Sequence, residues 1–160
     1  MKTIFILVIF IVAVGIGAAF LFPKETGEPG AVGDPAGLIV GENAIYVAEQ
    51  MPSKTVSVMV VRLEKPGFVV IHEDENAAPG KILGVSSLLM AGETKDSLQI
   101  ALSRSTVDGE TIYAMLHLDD GDKTFDAIKD NPALDRIGGG PVMTIVTTDK
   151  DATEPGAVNP

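Results

Sequence analysis

Residues 4–22 form an apolar run without one charged side chain, whereas from residue 42 onward apolar positions come in short bursts that alternate with polar ones. The two patterns predict different structures. At about 1.5 Å rise per residue, a helix of the first run spans roughly 28 Å, enough for one bilayer crossing. A period of two is that of strands with one face on a core. Segments 44–49, 55–63, 67–73, 81–86, 97–102, 111–118 and 142–148 alternate in this way or are rich in Val, Ile and Thr. The clearest is 97–102, where Leu98, Ile100 and Leu102 share one side and Ser97, Gln99 and Ala101 the other. Reversal signals fall between them at Lys65-Pro66-Gly67, Ala78-Pro79-Gly80, Ala91-Gly92 and Asp108-Gly109. Residues 124–134 lack strand character and are expected to hold one short helical turn, ended by Asn131-Pro132.

The fold class expected is all-β: an immunoglobulin-like two-sheet sandwich of about seven strands, preceded by one N-terminal transmembrane helix. The domains read as an anchor over 1–22, a flexible linker rich in proline and glycine over 23–41, the sandwich over 42–148 and a disordered tail over 149–160. Lys2 precedes the apolar run, while Lys24 and Glu25 offset one another after it. The positive-inside bias therefore places the N-terminus in the cytoplasm and the sandwich outside, with the bilayer as partner of residues 4–22. The competing reading is a secretory signal cleaved after Gly17-Ala18-Ala19, which would leave the domain secreted. The length of the run, beyond that of a usual signal core, favours the anchor.

The formal charge of −10 excludes a nucleic-acid partner, since binding phosphate backbones needs clustered Lys and Arg. The lack of cysteine removes disulfides, thiolate nucleophiles, zinc–thiolate sites and the cysteine-dependent blue-copper centre.

Several short stretches recur in one order: Gly67-Phe68-Val69-Val70-Ile71-His72, then Gly84-Val85-Ser86, Ala91-Gly92, Ala114-Met115-Leu116-His117-Leu118-Asp119, and an acidic loop ending in Phe125-Asp126. In this the chain resembles a domain of unknown function found in secreted and membrane-anchored haloarchaeal surface proteins. The resemblance implies an extracytoplasmic β-sandwich and no reaction.

Candidate chemistry is sparse. His72 and His117 are the two histidines, each late in an expected strand. If those strands pair, the imidazoles converge, and Met115, on the face of His117 by the period of two, adds a soft thioether suited to Cu(I). Equally, both histidines serve as hydrogen-bonded structural groups and Met115 as core. Asp119, Asp120, Asp122 and Asp126 gather around Gly121 in the oxygen-rich manner that Ca²⁺ favours, with Asp130 and Asp135 joining only if the chain folds back. Lys123 and the incomplete EF-hand pattern leave a solvated acidic turn as the alternative. Ser86, Ser87 and the histidines sit in no nucleophile context, and Gly138-Gly139-Gly140 lacks the Lys and Ser/Thr of a phosphate loop. The expected function is thus a non-catalytic interaction or structural module at the cell surface, partnered by envelope components, with calcium or copper binding as the alternative.

Overall fold

The computed structural model describes residues 43–153, so the expected anchor and linker lie outside the described residues. Among the described residues no helix is long and apolar enough to cross a membrane. Seven strands follow in order: β1 (Ala44–Tyr46), β2 (Thr55–Arg62), β3 (Gly67–Asp74), β4 (Pro79–Val85), β5 (Thr94–Ala101), β6 (Thr111–Leu118) and β7 (Met143–Thr147). They form two antiparallel sheets, β1-β2-β5 and β4-β3-β6-β7.

Every expected segment becomes a strand, 111–118 at its expected bounds and the others with one or both ends shifted. β4 starts at Pro79, which is tolerated because a proline opening an edge strand removes no needed ladder donor. β5 starts earlier than its alternation suggests, because Ser97 adopts φ 55° between the Val58↔Leu98 and Val60↔Asp96 pairs. That irregularity resets the facing of the exposed first half of the strand. Residues 124–134 hold only the expected short turn, closed where Asp126 O accepts Lys129 N–H at 3.0 Å and Asp130 N–H at 2.8 Å. Pro132 then prevents its extension, and the chain runs on beside β6 through Leu118 N–H to Asn131 O and Ala133 N–H to Leu116 O. After β7, Asp149 N–H donates to Gln50 O at 3.1 Å.

Between the sheets, Val56, Val58, Val61, Leu63 and Ile100 meet Val69, Ile71, Ile112, Ala114 and Leu116, all virtually without exposure. Gly84 belongs to this contact: a Cβ there would lie 2.5 Å from Ala101 O. The outer face of the larger sheet is also buried along its middle, at Phe68, Val70, Tyr113 and Met115. β3 and β6 are therefore dry on both sides, which is why their sequences read as continuous apolar runs.

Arg104 ties the loop after β5 to the neighbouring strand ends, donating to Glu110 at 2.7 Å and Glu73 at 2.9 Å. Burial pushes the Glu110 carboxyl up, but hydrogen bonds from Arg104 and from the Val107 N–H outweigh it and hold the group below its ordinary value. As pH falls, the unfolded chain then takes up this proton before the folded one does. The stability from this pair is expected in full above about pH 4.5 and to fade as the pH drops through the depressed value. Urea unfolding at pH 7, 4.5 and 3 checks it: Arg104→Gln should flatten part of the acid slope, and an unchanged slope would remove Glu110 from the account.

Candidate metal centre

The pairing of β3 with β6 decides the geometry. Its register sets His72 opposite Tyr113, Val70 opposite Met115 and Phe68 opposite His117, in three successive rows on the outer face. The histidine rows lie four residues apart along the strands, roughly 13 Å at ~3.3 Å per residue. Yet the ring centroids are only 5.8 Å apart, with planes inclined by 23°. Both side chains must therefore lean inward over the row that Met115 holds.

Each ring is fixed by its Nδ1. His72 Nδ1 lies 2.8 Å from Gly80 O, and His117 Nδ1 2.7 Å from Asp130 O. A carbonyl can only accept, so each Nδ1 carries the hydrogen and, in a neutral ring, each Nε2 keeps its lone pair. The local chain explains the first anchor: register shifts in the β3–β4 ladder fall on both sides of His72, freeing the Gly80 carbonyl from regular pairing. The second comes from the loop after β6, where Phe125 packs edge-on against Phe68 at 5.5 Å and His117 at 5.6 Å.

Both Nε2 atoms are buried without a hydrogen-bond partner, in side chains 9% (His72) and 5% (His117) exposed. Burial pushes the His117 imidazolium pKa below its ordinary value, more than the hydrogen bond to Asp130 raises it, and His72 lowers it further. A neutral imidazole is the form that ligates a metal.

The acidic loop is organised differently. Asp119, Asp120 and Asp130 bring carboxylate oxygens within 4.8 Å of one another, but Asp122 and Asp126 do not join them. Those two face Lys129 Nζ at 3.7 and 3.5 Å. Asp126, Asp122 and Asp120 all raise the Lys129 pKa, so an ammonium already answers much of this charge. Most of these carboxylates also cap backbone: Asp119 accepts from Lys123 N–H, Asp120 from Asp122 N–H, Asp122 from Thr124 N–H and Asp126 from Ile128 N–H. Asp130 is fully buried, its two oxygens accepting the N–H groups of Asp120 and Asp126. Asp135 closes its own turn with Ile137 and Gly138.

A family model described as a domain of unknown function (DUF7282) matches residues 43–149. The chain belongs to this family. The match covers all seven strands and both histidines of the DUF7282 domain. No curated protein matches the chain, and no solved structure does.

Sequence reasoning singled out His72, His117 and Met115 but not Met143, the register partner of Met115 on β7 and hence its neighbour on the same face. No motif marks it. Only the β6–β7 register puts the two thioethers side by side.

Proposed function

We propose that this chain is a non-catalytic, extracytoplasmic module, held at the membrane by residues 4–22, that binds a metal ion between His72 and His117. The observation that carries this reading is the pair of buried, unpartnered Nε2 lone pairs, each on a ring whose Nδ1–H is tied to a backbone carbonyl. Leaving two buried acceptors without donors is costly. It is also the state a ligand pair needs, since metal-bound histidines usually anchor their other nitrogen on a carbonyl or carboxylate. Two imidazoles about 2 Å from a shared ion place their ring centres roughly 6 Å apart, close to the separation here. The strand order β1-β2-β5 against β4-β3-β6-β7 supports the immunoglobulin-like reading, a scaffold that says nothing of chemistry by itself.

The test is thermal unfolding of the full chain in detergent, metal-stripped and then titrated with Cu(I), Zn²⁺, Ni²⁺ or Ca²⁺. One ion per chain, with a midpoint raised by several degrees and lost in His72→Gln, is expected. If the stripped protein ignores the transition metals, the histidines are structural; if Ca²⁺ alone shifts the midpoint, the acidic loop is the site instead.

A second reading, contact with another envelope component, is favoured by Ile128 and Ile137, 90% and 98% exposed on the segment joining β6 to β7. Replacing both with Ser should leave unfolding unchanged while abolishing retention on isolated cell envelopes. Retention equal to that of the parent chain would remove this surface from consideration.

A further inference from the structure

We infer that the centre is built for monovalent copper, ligated by His72 Nε2, His117 Nε2 and the thioether of Met115, with Met143 as a second sulfur beside it. This rests on the metal-binding reading above and names its ion. Register is the first ground: the imidazoles lean from opposite sides over the row of Met115, and Met143 is paired with Met115 in that row. Met115 is only 6% exposed, so its sulfur lies within the dry patch.

The donor set is the second ground. Among the described residues, no Asp or Glu joins the two imidazoles in a group of three close ligands, and the chain has no cysteine. What remains is neutral: two nitrogens and one or two thioethers. Zn²⁺ favours four ligands, commonly including anionic ones, and Cu²⁺ favours a tetragonal set of nitrogen and oxygen. Soft thioethers select Cu(I), which needs no carboxylate to balance a second charge.

Burial is the third ground. Both Nε2 atoms are sealed from solvent, so an ion here loses its water. The penalty for burying charge without a counter-charge rises steeply with that charge, and neutral ligands compensate a single charge far better than a double one.

The experiment titrates the full chain in detergent, under anaerobic conditions, with Cu(I) against a coloured Cu(I) chelator, and with Zn²⁺ in parallel. X-ray absorption at the copper edge reads the ligands. The expected result is one Cu(I) per chain, a first shell containing nitrogen and sulfur, and Cu(I) bound more tightly than Zn²⁺. Met115→Leu, close to isosteric, should weaken Cu(I) by roughly tenfold or more while leaving Zn²⁺ binding and metal-free unfolding as they were. A shell of nitrogen and oxygen only, tighter Zn²⁺ than Cu(I), or an unmoved Cu(I) affinity in Met115→Leu would each overturn the copper assignment with metal binding intact. Binding of neither ion would overturn both.

Discussion

Asp130→Ala is expected to cost about 2–4 kcal/mol of stability, because it removes a fully buried acceptor of two backbone hydrogen bonds, and each such loss costs roughly 1–2 kcal/mol. The side chain has no exposure, and its oxygens accept Asp120 N–H at 2.9 Å and Asp126 N–H at 2.8 Å. Alanine leaves both donors without a partner and lets the ends of the acidic loop separate. The backbone carbonyl of the same residue orients His117, so loosening the loop also loosens the ring. Asp130→Asn keeps an acceptor for one N–H but turns an NH₂ toward the other, and should fall between parent and alanine. Urea unfolding of the metal-free variants measures the first effect and ion affinity the second. A loss below about 1 kcal/mol would mean that the loop is held by other contacts, Phe125 on Phe68 foremost.

Strand positions were legible in the sequence because the period of two and the turn residues are local properties: Gly92 at φ 77° and Gly109 at φ 76° do what Ala91-Gly92 and Asp108-Gly109 announce. Facing was legible at Leu98 and Ile100, where one side of the strand meets water. In β3 and β6 it was not, since burial on both faces erases the alternation that distinguishes them. The site follows from register between strands distant in sequence. His72 and His117 were visible as residue types, but their convergence needs β3 beside β6, and Met143 enters only through β7. Asp130 stood out in the sequence merely as a carboxylate that a fold-back brings near the loop. That its side chain closes the loop while its carbonyl holds a histidine depends on the short turn at 126–130, which the sequence places but whose contacts with β6 it does not show.

Gly67→Ala is expected to be the most damaging single-methyl change in the domain. A Cβ at this position would sit 2.1 Å from His117 O and 3.2 Å from Leu118 Cα, backbone atoms with no rotamer to move. Gly67 opens β3 opposite Leu118 and exchanges hydrogen bonds with Leu89, Gly67 N–H to Leu89 O at 3.1 Å and Leu89 N–H to Gly67 O at 2.8 Å. It is held on both sides, so the strand cannot step away without breaking one ladder or the other. Overpacking alone typically costs about 1–3 kcal/mol, and lost ladder bonds add about 1 kcal/mol apiece. The strand that must yield carries His117, so metal affinity should fall together with stability. Gly92→Ala supplies the contrast. Its φ of 77° disfavours a side chain, but nothing lies within 4 Å of the added carbon, so a loss of only about 1–2 kcal/mol and an intact centre are expected. Thermal unfolding and ion titration of the pair separate backbone strain at an exposed turn from steric exclusion beside the histidines. Equal losses in the two variants would show that β3 and β6 have more room to part than the 2.1 Å between an added Cβ and His117 O implies.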